Sequence, residues 1–109
     1  MLAFAATSAP PAKAWSWSSQ VNVAGGAPRC DMNSFGLVVT VYANNGEVHS
    51  GYPNSIGNWG ARFYNIPSGG TSAHALVTCR NIFGYNWQYW SNWFTIYRPG
   101  VGDQVNVTV

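Results

Sequence analysis

Phe35-Gly36-Leu37-Val38-Val39-Thr40-Val41-Tyr42 is the stretch on which the fold turns. Phe35, Leu37, Val39 and Val41 alternate with Gly36, Val38, Thr40 and Tyr42, and a period of two sends each set to its own side of an extended chain. β-Branched and aromatic side chains dominate the first set and half fill the second. The run therefore reads as a central strand, buried on one face and partly on the other. Asn44-Asn45-Gly46 ends it with residues that a tight hairpin needs.

Downstream of that turn, Ala43 to Gly60 is rich in Asn, Gly, Ser and Pro. It reads as a long surface loop with one short edge strand at Glu47 to His49. Ala61 to Ile66 forms the next strand, Pro67-Ser68-Gly69-Gly70 a turn, and Ser72 to Arg80 another strand. In that last strand Ala73, Ala75, Val77 and Cys79 share a face, so the cysteine is expected inward, beside the core. Trp87 to Tyr97 has the aromatic density of a strand, and Val105, Val107 and Val109 alternate with polar residues after the turn Arg98 to Asp103. Upstream, Trp17 to Val23 adds a strand that Ala24 to Pro28 breaks. No segment carries a helical period with a cap and a stop. The expectation is an all-β fold, a small two-sheet antiparallel β-sandwich of six to seven strands.

Arg62-Phe63-Tyr64-Asn65-Ile66-Pro67-Ser68-Gly69-Gly70, with the alternating strand that follows it to Cys79, resembles the prealbumin-like and peptidase-regulatory-like sandwich modules. There an aromatic, an Ile-Pro and a Gly make the same succession of strand, tight turn and strand. The likeness is confined to residues 62–80. It implies a fold and no particular activity, because such modules bind, connect or stabilise.

At 109 residues the chain has room for one modest core, taken to span residues 15–109, and a covalent staple would help it. Cys30 and Cys79 are expected to form that staple, restricting the unfolded chain by on the order of 4 kcal/mol in the loop-entropy account. Disulfides belong to oxidising compartments. Leu2 to Ala14 points the same way, since it is small and apolar and ends in Ala12-Lys13-Ala14, a pattern that a signal peptidase accepts. Residues 1–14 are read as the remnant of a leader, the alternative being a disordered Ala/Pro tail. The domain is accordingly expected to be secreted.

Charged residues make up 7 % of the chain against 47 % hydrophobic and 16 % aromatic, and the net charge is +2. Arg29, Arg62, Arg80 and Arg98 are scattered singly, which gives no basic stripe for nucleic acid. No stretch is long enough to span a bilayer, and neither membrane insertion nor a cationic amphipathic segment is expected. Asp31, Glu47 and Asp103 are the only acids and His49 and His74 the only histidines. Each acid lies in a different turn or loop, so neither a glycosidase pair nor a triad assembles, and the domain is read as non-enzymatic. Unclustered histidines and distant cysteines supply no zinc site, and the acids are too few for calcium. No cofactor is expected. His74 reads as an outer-face strand residue and His49 as a solvated loop residue.

What remains is aromatic. If residues 85–97 form one strand, a period of two places Trp90, Phe94 and Ile96 in the core and turns Trp87, Tyr89, Trp93 and Tyr97 outward together. Tyr and Trp are the rings that tolerate both water and a partner. Tyr52 and Trp59 join them as candidates from the long loop, where recognition residues commonly sit. The leading expectation is a secreted recognition module that binds either a partner protein, as a small subunit of a larger extracellular assembly, or a glycan. A small antimicrobial or toxin protein acting on a competitor's envelope is the alternative. A protease inhibitor would need its loop braced by the disulfide, which Cys30 and Cys79 do not flank.

Overall fold

The computed structural model describes residues 17–26 and 28–109. The expected leader remnant at 1–14, and Trp15 after it, lie outside the described residues. Among the described residues, eight strands make up the regular structure: β1 (Val21–Gly25), β2 (Ser34–Ala43), β3 (Val48–Gly51), β4 (Trp59–Phe63), β5 (Thr71–Asn81), β6 (Asn86–Trp90), β7 (Phe94–Ile96) and β8 (Gln104–Val107). There is no helix among the described residues.

The strands form two sheets, as expected, one of three strands in the order β4-β1-β8 and one of five. In the larger sheet the order is β3-β2-β5-β6, with β7 pairing β5 beyond the end of β6. Pairing is antiparallel throughout except between β1 and β8, which run parallel with Val23 opposite Val105. The count rises to eight because the segment read as one strand from Trp87 to Tyr97 is divided into β6 and β7.

The core lies between the sheets. From the larger sheet come Val39, Val41, Ala73, Ala75, Val77, Cys79 and Ile96, and from the smaller Val21, Val23, Trp59, Ala61, Phe63 and Val105. These side chains follow the period of two along each strand, so hydrophobic burial sets the register: a slip of a strand by one residue would turn its core valines to solvent. The Cys30–Cys79 disulfide, with Cα atoms 5.9 Å apart, ties the arm before β2 to the buried face of β5. At the margin where the sheets approach, Gly51 of β3 faces the backbone of Gly60 in β4 so closely that any Cβ would collide with the Gly60 carbonyl.

One expectation for the central strand is corrected. Between Gly36 and Val38 the β2 register shifts, leaving Leu37 as an extra residue without a partner on β5. Phe35 therefore pairs with Arg80 on the outer face and is exposed, while Val39 and Val41 face the core. A bulge of this kind adds one residue to one strand and so reverses which side every residue beyond it faces.

Candidate functional site

The outer face of the five-stranded sheet is built from the residues that the core pattern leaves over. On β2 these are Val38, Thr40 and Tyr42, on β5 His74, Leu76 and Thr78, and on β6 Gln88 and Trp90. The chain then departs from its partner. Trp90 stands opposite Leu76 and Phe94 opposite Ala73, so Ser91, Asn92 and Trp93 face only His74 and Ala75 on β5. Ser91 holds this bulge closed. Its amide donates to the Ala75 carbonyl at 2.8 Å, and its hydroxyl accepts the Ala75 amide at 2.8 Å, the position a ladder carbonyl would otherwise take.

The extra residue brings Trp90 and Trp93 to the same side of the sheet. The His74 imidazole stacks on both, with centroids 4.3 Å from Trp90 and 4.0 Å from Trp93 and interplanar angles of 19° and 9°. An imidazole face is too small to hold two indoles side by side, so the histidine lies between them. Tyr42 leans on Trp90 at 5.5 Å and meets His74 edge-on at 6.3 Å. Both indoles remain open to solvent, Trp90 at 52 % and Trp93 at 58 %. Nearby polar groups are already paired with one another: Thr40 with Ser50 at 2.9 Å, and Gln88 Nε2 donating to Thr78 Oγ1 at 3.1 Å.

Of the residues singled out from the sequence, Trp93 and Tyr97 are exposed, but Trp87 and Tyr89 turn to the core side. They precede the bulge, so period two places them opposite Cys79 and Val77, not beside Trp93. Trp87 donates its indole N–H to Ser34 Oγ at 3.0 Å, and Tyr89 accepts the Arg29 amide on its hydroxyl at 2.7 Å. Conversely Trp90, expected in the core, lies outside, whereas Ile96 is buried and Phe94 packs against the core. The four-ring outward row is thus replaced by a cluster of Tyr42, His74, Trp90 and Trp93. Residue parity alone gives Tyr42 and His74 as outward. The bulge that recruits Trp90 leaves no mark on residue type.

Tyr52 is exposed in the loop, but Trp59 is buried, its indole lying over Gly25, where a Cβ would meet the ring at 2.8 Å. Burial of that ring between the sheets outweighs its place at the end of a loop. Beside it opens a cavity of about 340 Å³ bordered by Asn58, Gln104 and Asn106, and a second of about 630 Å³ lies between the arm at Pro28–Cys30, the start of β2 and the loop at Pro53–Gly57.

The ionisable side chains are occupied in holding loops. His49, on the inner side of β3, packs edge-on against Phe63 at 4.7 Å and donates to Glu47 at 3.0 Å; it is part of the scaffold and not a solvated loop residue. Burial works against the Glu47 charge. The amide of Tyr64, the His49 ring, the Asn45 side chain and the amide of Asn65 together outweigh it and bring the pKa from 4.5 to about 2. Asp103 pairs with Arg62 at 2.7 Å, and Asp31 accepts the Asn33 amide. No group of three His, Cys, Asp or Glu side chains converges among the described residues.

No protein-family model, curated protein or solved structure matches the chain.

Proposed function

We propose that this protein is a secreted, non-catalytic recognition module that meets a partner protein with the open face of its five-stranded sheet. The observation that carries the reading is the stack of Trp90, His74 and Trp93. Three rings fixed against one another have little rotamer freedom left to lose when a partner covers them, and indoles with a hydroxyl-bearing neighbour are the anchors that interfaces favour. The polar groups around them already pair with each other, so covering them strands no donor. The acids are each committed to a loop or an ion pair, which favours binding over catalysis. The disulfide fits an oxidising setting. A protein is favoured over a glycan because the ring faces that would stack on a sugar are partly taken by His74.

The test is to recover partners of the immobilised protein from its own secreted milieu, alongside a glycan array. One stoichiometric protein, retained at least tenfold less well by Trp93→Ala at unchanged melting temperature, is the expected result, tenfold corresponding to about 1.4 kcal/mol. A saturable glycan signal without any protein partner would replace the reading by a lectin-like one.

A further inference from the structure

The hairpin that joins β5 to β6 displays exposed apolar side chains. Ile82, Phe83 and Tyr85 at its tip are exposed, Phe83 at 76 %, and Met32 of the neighbouring turn is exposed at 96 %. The turns touch through the Ile82 amide, which donates to the Asn33 carbonyl at 2.9 Å. Isolated apolar residues on a surface need no explanation. Three in five consecutive residues, with a methionine beside them, at the tip of a hydrogen-bonded hairpin do.

The backbone beneath them is closed. The Asn81 amide donates to the Tyr85 carbonyl, Ile82 to Asn33, and Gly84 to the Asn81 carbonyl, while Asn81 Oδ1 accepts both the Phe83 and the Tyr85 amides, at 2.9 and 3.0 Å. Every N–H from Asn81 to Tyr85 is therefore satisfied within the protein. The tip can therefore lose its water without stranding a donor, which otherwise costs a few kcal/mol for each group. The charges adjoining the tip in the chain, Arg80 and Asp31, are of opposite sign.

We propose that the Ile82-Phe83-Gly84-Tyr85 tip, with Met32, docks the protein onto a lipid bilayer by shallow entry into the interfacial region. There carbonyls still reach water and aromatic rings are favoured. Attraction comes from apolar side chains and not from charge, so zwitterionic lipid suffices. Such docking is at the surface and leaves the expectation about spanning segments as it stands, since no helix among the described residues is long and apolar enough to cross a bilayer. It is independent of the aromatic cluster on the sheet face.

The full protein is sedimented with phosphatidylcholine vesicles at low and high salt, with and without added phosphatidylserine. Binding that rises with lipid and is unchanged by salt or anionic lipid is expected. The paired substitutions Ile82→Ser and Phe83→Ser reduce the partition roughly tenfold or more, whereas Trp93→Ala leaves it unchanged. Phe83→Trp, read by fluorescence, reports a blue shift on adding vesicles, compared with the parent. Absence of binding, equal binding by the Ile82→Ser/Phe83→Ser protein at unchanged melting temperature, or binding seen only on anionic vesicles and lost in salt would each overturn the proposal. So would a soluble protein partner that the tip retains while vesicles are ignored.

Discussion

Two hairpins of the larger sheet share one backbone and differ in every other respect. In the β2–β3 turn Ala43 donates to the Glu47 carbonyl and Gly46 to that of Ala43, and in the β5–β6 turn Asn81 donates to Tyr85 and Gly84 to Asn81. Both glycines have positive φ, 96° and 86°, and the residue after each turn's first position donates to a neighbouring segment, Asn44 to Ser72 and Ile82 to Asn33. Yet the first turn is filled by Asn44 and Asn45 and fastened by Glu47 to the loop at Tyr64 and Asn65, while the second carries Ile82 and Phe83 into solvent. Since the same frame is made with either set, geometry does not dictate the apolar residues of the second. Their presence is a matter of what the surface meets.

The largest effect is expected where the polar turn is fastened. Glu47→Ala removes the acceptor of the Tyr64 and Asn65 amides and of two side chains, and is expected to cost about 2–3 kcal/mol in a urea titration. A pH series asks the same question without mutation. Because the folded pKa lies near 2, below 4.5, the carboxylate's contribution is complete above pH 4.5 and is lost as pH falls towards 2. The parent should lose more stability than the Glu47→Ala protein across that window. Parallel curves would mean that the carboxylate is not what fastens the turn.

The apolar turn has no such fastening, and its own brace is Asn81. Replacing Asn81 by Ala takes the acceptor from two amides of an exposed loop that water can reach, so about 1–2 kcal/mol is expected, read by thermal melting. Smaller still is a test of the shared backbone itself. A Cβ placed on Gly46 or Gly84 meets nothing within 4 Å, so Gly46→Ala and Gly84→Ala pay only for positive φ, roughly 1 kcal/mol each. The two values should agree; a clear inequality would show that the frames are not equivalent.

Of the two turns, only the polar one was legible in the sequence, since Asn44-Asn45-Gly46 is written in turn residues. Asn81 and Gly84 do the same work with Ile82 and Phe83 between them, and residue types that favour strands hide the turn. The same contrast runs through the fold. The buried face of β5 and the Cys30–Cys79 pairing follow from parity and an even number of cysteines. The aromatic cluster does not follow, because it depends on one unpaired residue at Ser91–Trp93, where the compensating hydrogen bond is made by a serine among many. With Ile96 in the core, one extra residue at Ser91–Trp93 inverts the side of every residue before it, which is why Trp87 and Tyr89 exchange sides with Trp90.

The smallest expected change in stability is the one that separates fold from surface most cleanly. Writing the polar turn into the apolar one, with Ile82→Asn and Phe83→Asn together, keeps the glycine, the Asn81 brace and every amide donor. It removes only side chains that touch solvent, so the melting curve should move by less than about 0.5 kcal/mol. If stability falls by several times that amount, Ile82 and Phe83 are structural, and their exposure says nothing about a second medium. If stability holds, the protein maintains an apolar tip on a frame indifferent to it, and association with phosphatidylcholine vesicles, measured on the same sample, is the property that should disappear.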